Sequence, residues 1–323
     1  MSNQLNEPAL GLTNEQGQIE ITGFGRPFGL KVLRDGKTYV TDMDLHTIFE
    51  ITPDFTAYRV LADRNGWSRP QEFSPKPQKR ANSLSPRQFN GPHSCAVSKN
   101  GKFCITTYYS PALHLLNQDA KLESVVDTLG IDTKLTGPAT ATYTTNGSLL
   151  ITEYHQNVVF HWHPTSNLVT SILGPGDGPS SLNRPHMARQ LPNGDIIIAD
   201  TWNHRLVRTS TNGRLKSWWG VSADSGTCAD RWQTNMNYGV ATHHAHGLHA
   251  PVAIDIHAST GQLLVTDWGN NRLRLLDSEG QLISGVETLG LNKPYDACFW
   301  KNGYAIADSH NGRLLFIVSP ESY

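Results

Sequence analysis

Cysteine is scarce in this chain. Cys95, Cys104, Cys228 and Cys298 are the only four in 323 residues, too few and too scattered for a disulfide framework. A reduced, cytoplasmic protein is the simplest reading. Cys95 and Cys104 flank one Asn-Gly hairpin, where two small buried apolar side chains suit the pair better than a bridge. Neither sign of charge dominates: 27 Lys and Arg stand against 28 Asp and Glu, so no overall field recruits nucleic acid or an anionic membrane. No apolar run approaches a membrane span, and the opening MSNQLNEPALG has neither the basic start nor the apolar stretch of a signal peptide. Helical periodicity of useful length is missing. Nucleotide-binding glycine loops, a nucleophile elbow and paired-cysteine metal motifs are missing too, which weighs against redox and covalent serine chemistry.

What the chain does have is a repeat. Prolines 27, 92, 138, 185, 251 and 294 each precede a short apolar run, and each leads a copy of one pattern. The unit is about 45 residues, and two copies carry roughly 20 more. These insertions are residues 63–90 and 220–250. Within a unit, runs such as NGDIIIAD, SKNGKFCI and TTNGSLLI are punctuated by Asn-Gly pairs, which is hairpin chemistry. Four strands per unit follow. The last unit ends after its third strand, RLLFIVS, whereas the segment at residues 17–25 belongs to no unit. It is expected to supply the missing fourth strand and close the ring, removing exposed sheet edges.

The motifs DTWNHR, DWGNNR and DSHNGR, each following a leading proline and a strand that ends in Asp, resemble the NHL repeat. That resemblance implies an all-β, six-bladed β-propeller forming one domain over residues 1–323. A closed propeller of this length, 38% hydrophobic, is one domain despite its size. NHL-like propellers include enzymes, scaffolds and RNA binders, so the fold does not fix the activity.

In a propeller, the inner-strand starts and the loops between second and third strands meet on one face. Long insertions there usually form lids or binding walls. The residues after the leading prolines are Phe28, His93, Ala139, His186, Val252 and Tyr295. Alternate blades therefore form two threefold sets. One is apolar; the other, His93, His186 and Tyr295, can bind a metal or move a proton. Two imidazoles converging on the axis can hold a divalent ion such as zinc with positions left open for water and substrate. Equally, histidine after proline can cap the channel.

The contexts GPHSCAV and RPHMARQ resemble the propeller lyases of peptide C-terminal amidation, whose metal histidines follow such prolines on alternate blades. That resemblance implies a metal at His93 and His186. Tyr295 stands where a third histidine would be, and Phe28 replaces another in blade 1, so a three-histidine zinc site is not carried over. Asp296 matches an aspartate that those lyases use for structural calcium. A further ligand could come from ATHHAHGLHAP, where His249 is nearest the start of blade 5.

Other candidates lie nearby. His46, His155, His204 and His310, with Trp202 and Trp268, occupy the second-to-third-strand loops and are expected to contact substrate. The repeated Asp and Arg beside them read as structural. Lys31, Thr142, Arg189 and Asp255 are polar at inner-strand positions, so they line the channel. Lys31 and Arg189 could bind a substrate carboxylate or oxyanion, or be neutralised by Asp255. The 63–90 insertion is locally basic, through Arg64, Arg69, Lys76, Lys79, Arg80 and Arg87. Together these features read as a metal-dependent, lyase-type enzyme for a small molecule, with Tyr295 completing the shell or acting as base. The alternative is a binding propeller for a protein. RNA is not expected, because the chain lacks a basic face.

Overall fold

A computed structural model describes residues 9–13, 18–63, 66–67, 89–224, 226, 231–286 and 289–318. The basic residues of the first insertion and Cys228 lie outside the described residues. Six sheets form the blades; five are ordered by sequence from inside to outside, and the sixth is completed on its outer side by the N-terminal strands. Their inner strands are Pro27–Val32, Pro92–Val97, Pro138–Tyr143, Met187–Gln190, Pro251–Ile256 and Asp296–Trp300. Proline opens four of these strands and stands two residues before the other two; it suits a strand's start because it has no N–H to give to a ladder. Each inner strand touches the next around the ring, and the sixth touches the first.

Closure works as the sequence implies. Ile19–Thr22 pairs antiparallel with Arg313–Ile317, setting Ile19 opposite Phe316 and Ile21 opposite Leu314. Ala9–Thr13 adds a fifth strand outside it. Ile21 and Phe24 sit in one core with Leu30 and Phe49 of blade 1 and Cys298, Trp300 and Phe316 of blade 6. The first and last blades are thus joined by burial as well as by hydrogen bonds.

Second strands, flanked on both sides, are buried along their whole length in blades 1 to 5, as in Ile196–Asp200. Outer strands such as Leu122–Val126 are largely exposed. Cys95 pairs with Ile105 and Cys104 with Ala96, one register step apart, so the two thiols point to opposite faces. Both are free and buried, as is Cys298. Among the described residues, no helix is long and apolar enough to cross a membrane.

One glycine is fixed by the ring. A Cβ on Gly29 would lie 2.7 Å from the Ser94 Cα and 2.9 Å from the Cys95 nitrogen, both backbone atoms of the neighbouring blade. Gly29→Ala must therefore push blade 1 from blade 2. A loss of about 1–3 kcal/mol in urea unfolding is expected; an unchanged midpoint would mean that the inner strands are not in close contact.

Candidate functional site

The carboxylate that ends the second strand in every blade but the second, Asp in blades 1, 4, 5 and 6 and Glu in blade 3, holds the chain entering its own blade. In blade 4, Asp200 Oδ1 accepts the Asn183 N–H at 2.8 Å, while Oδ2 accepts Asn203 Nδ2 and Arg205 Nε, both at 2.8 Å. Asp267 and Asp308 repeat this with His249, Asn270 and Arg272, and with Asn292, Asn311 and Arg313. Burial pushes the Asp200 carboxyl up, and the Arg205 charge opposes it. The guanidinium then reaches the insertion: Arg205 donates to the Asn237 carbonyl there and to that of Ser181 before blade 4, and Arg272 donates to those of His243, His244 and Gly247. In blades 1 and 3, Asp42 and Glu153 take the same backbone N–H groups without an arginine.

A second device ties the loops of blades 1, 3, 4 and 5 to the following blade. His46, Asn157, His204 and Asn271 all have left-handed backbones. They accept the N–H of the residue before the next leading proline: Gly91 at 2.9 Å, Arg184 at 2.7 Å, Ala250 at 3.1 Å and Lys293 at 2.9 Å. His46 and His204 thus spend Nδ1 on blade-to-blade contact. The same device fixes Arg184 and Lys293 at the rim.

Four of the residues that follow leading prolines meet at the mouth. Phe28 and Tyr295 stack with centroids 3.7 Å apart and planes at 4°. His93 meets Phe28 edge-on at 5.1 Å, and its Nε2 shares a hydrogen bond of 3.1 Å with the Tyr295 hydroxyl. His186 lies 6.0 Å from His93 and 5.8 Å from Tyr295, centroid to centroid. Tyr295 therefore faces the axis.

Thr201 fixes the tautomer of His186. Its single hydroxyl proton goes to the Pro251 carbonyl at 2.7 Å, so the oxygen accepts Nδ1–H of His186 at 2.9 Å. Neutral His186 then presents an unprotonated Nε2, which has no hydrogen-bond partner among the described residues. Burial lowers His186 to about 4. Burial and the nearby His186 lower His93 to about 3, although the Ala139 carbonyl opposes this without reaching hydrogen-bond geometry with the buried Nδ1. Burial and the neighbouring Tyr154 and Tyr108 drive the Tyr295 phenol well above its usual range.

A direct check is histidine NMR. The ring resonances of His93 and His186 should stay constant from pH 8 to about pH 5, with His186 as the Nδ1–H tautomer. Titration of either near the ordinary histidine value would overturn the buried neutral pair.

The walls include residues that the sequence did not single out. Tyr108 and Tyr154 immediately follow the second strands of blades 2 and 3, the position that Thr201 holds in blade 4. Tyr108 shares a hydrogen bond of 2.9 Å with His155 Nε2, and Tyr154 stands edge-on to His186 at 4.9 Å. Trp202 donates to the Tyr154 hydroxyl at 3.2 Å, and the exposed Arg184 lies over both rings at 5.3 and 5.7 Å. Opposite, Lys293 sits 4.2 Å from the Trp268 ring. His310 is exposed on the blade 6 rim, and burial, with Arg26 and Lys293 nearby, lowers its pKa.

Other expected site residues stand apart from the mouth. The His249 ring packs against Gly269, His204 and His243 at the blade 4–5 junction. Asp296 gives its oxygens to the N–H groups of Leu30 and Ala297, strapping blade 6 to blade 1, and burial pushes it up to about 7. Lys31 and Arg189 line a separate cavity below, and Arg189 pairs with Asp255 at 3.2 Å. For a metal, the mouth offers two imidazoles and a neutral phenol. Among the described residues no three His, Cys, Asp or Glu side chains cluster, so a zinc site with three such ligands is not matched. Asp296, protonated in part and bonded twice, is a poor calcium ligand.

The Asp-Asn-Arg constellation is complete in blades 4, 5 and 6, and residues 182–208 of blade 4 match the NHL repeat family. The chain carries an NHL repeat. Around that NHL blade the whole ring is similar to solved propellers. A streptogramin B lyase aligns at 15% identity with a TM-score of 0.59, covering 99% of this chain and 100% of that one. An inactive virginiamycin B lyase from Staphylococcus aureus, solved with quinupristin, aligns at 16% identity and a TM-score of 0.56, covering 97% and 99%. A gluconolactonase from Xanthomonas campestris aligns at 11% identity and a TM-score of 0.61, covering 97% and 95%. These likenesses are of fold. No curated protein matches in sequence.

Proposed function

We propose that this NHL propeller is a lyase-type enzyme that eliminates a leaving group from a small molecule at the channel mouth. The observation that carries the reading is the geometry of the mouth, where His186, its Nδ1 taken by Thr201, and Tyr295 stand with ring centroids 5.8 Å apart. His186 is held as a neutral base, and Tyr295 as a neutral acid 5.8 Å from it. His186 Nε2 would take a proton from a carbon next to a substrate carbonyl, and that C–H pair becomes a double bond as the bond to the leaving group breaks. The Tyr295 hydroxyl would protonate the leaving atom. The proton on His186 then returns to Tyr295 through solvent, so the products are an alkene and the protonated leaving group. His93 holds the Tyr295 oxygen, while Phe28, Tyr154 and Trp202 provide the walls. The lyases and the lactonase of similar fold support a small-molecule enzyme at the level of architecture.

A second reading rests on the two neutral imidazoles. His93 and His186 would hold a divalent ion, zinc by donor type, which would supply Lewis acidity at a substrate carbonyl or hydroxyl. The experiment is a panel of small carbonyl compounds bearing a β leaving group, assayed with enzyme purified without a histidine tag, its metal content measured, before and after chelation. Chelator-insensitive turnover supports the acid–base reading, and turnover lost with a stoichiometric metal supports the second. A wild type that turns over nothing while retaining a protein partner at this face is a binding propeller.

A further inference from the structure

The cavity below the mouth opens on the opposite face. Inner strands run from their prolines at the mouth toward the first hairpin turns, and the lining includes those turns: Lys99, Thr145, Pro192 and Ala258. It measures about 390 Å³, within the range of small-molecule sites and far larger than a bare oxyanion needs. Neither His93, His186 nor Tyr295 lines it.

Its charges are unbalanced. Lys31, Lys99 and Arg189 line it, and among the described residues Asp296 is the only lining carboxylate. Both oxygens of Asp296 already accept N–H groups, from Leu30 and Ala297 at 2.9 Å. Arg189 uses Nη1 on Asp255, which also accepts the Phe299 N–H at 3.0 Å, but its buried Nε has no partner. Half-buried Lys31 makes no ion pair or hydrogen bond among the described residues. The hydroxyl of Thr142 is given to the Ala188 carbonyl. Cys95, Ala96, Val97, Ala141, Met187 and Ile256 form an apolar stretch of the wall, beside the neutral polar Ser94, Thr140, Thr145 and Gln190. Burial pushes the Cys95 thiol up to about 12, so that wall adds no thiolate.

We propose that this cavity is a second ligand site, separate from the mouth, for a monocarboxylic acid with an apolar tail. Its carboxylate lies between Lys31 and Arg189, and its chain runs along Cys95, Val97, Met187 and Ile256. Two cations with an orphaned guanidinium N–H match a carboxylate, and the volume beyond them matches a tail.

Calorimetric titration with butyrate, hexanoate and octanoate tests this against the corresponding amides and inorganic phosphate. Affinity should rise along the acids by up to about fourfold per methylene, and the amides should bind at least about tenfold more weakly. Lys31→Met should cost about tenfold. Lys99→Glu, on an exposed position that cannot endanger the fold, should also weaken binding. His186→Gln should leave it unchanged, which separates this site from the mouth. Acids no better than amides, phosphate equal to octanoate, or binding indifferent to both lysine variants would each overturn the proposal.

Discussion

Asp200→Asn should unfold at much lower urea than the wild type, losing about 3–5 kcal/mol. Arg205 and Asp200 are both 0% exposed at the side chain, joined at 2.8 Å. Removing the carboxylate charge leaves a guanidinium in the protein interior with no counter-charge, and water cannot reach it to compensate. The loss extends beyond the pair, because Asp200 also holds the Asn183 N–H, and Arg205 holds the Ser181 carbonyl before blade 4 and the Asn237 carbonyl in the 220–250 insertion. The matching variant in blade 3, Glu153→Gln, is the internal control. Glu153 accepts backbone N–H groups and the Thr136 hydroxyl without an arginine, so its loss strands no cation. A cost for Asp200→Asn under about 1 kcal/mol, the size of an exposed pair, would show that the pair is solvated and the blade 4 junction open.

The ring was readable because its signals are local. Proline at the start of each inner strand, Asn-Gly in the hairpins and Asp at the end of second strands act within a few residues, so each copy shows itself without knowledge of the others. Closure was readable from a count: a blade short of one strand at one end, and an unassigned strand at the other. The thiols, read from the sequence as small buried side chains rather than a bridge, are offset by one residue in the register and stay free.

The mouth was readable only in part, and the division follows chain connectivity. His93, His186 and Tyr295 share a sequence position, so the threefold set stood out. Thr201, Tyr108 and Tyr154 reach the same place from the ends of second strands, where varied residue types hide the common position. His46 and His204 look like free imidazoles in sequence. Their left-handed backbones turn Nδ1 toward the N–H before the next proline, a contact 45 and 46 residues away that no local pattern announces. Arg184 was missed for the complementary reason, as the donor of such a contact. Lys31 and Arg189 were readable as channel residues, but their separation from the mouth depends on depth along the inner strand.

His186→Gln should reduce turnover of any eliminated substrate by about 10²–10⁴-fold, with KM little changed. Glutamine keeps a polar group facing Thr201 but cannot accept and hold a proton. Tyr295→Phe keeps the stack on Phe28 and removes only the acid, so its loss should be large for poor leaving groups and small for those that depart unprotonated. The pH profile separates this chemistry from a metal-bound hydroxide. In free enzyme the base is active when neutral, and His186 lies at about 4, so kcat/KM should stay flat as pH falls through 6.5 and decline only as it approaches 4. Tyr295 is active when protonated and is held well above its usual range, so no alkaline limb should arise from it below about pH 10. A metal-bound water would instead impose a limb near pH 7, with activity rising as pH increases. A limb at 6.5 that persists in the Tyr295→Phe variant would mean that an ordinary, solvated histidine does the work, and His186 would lose its place as the base.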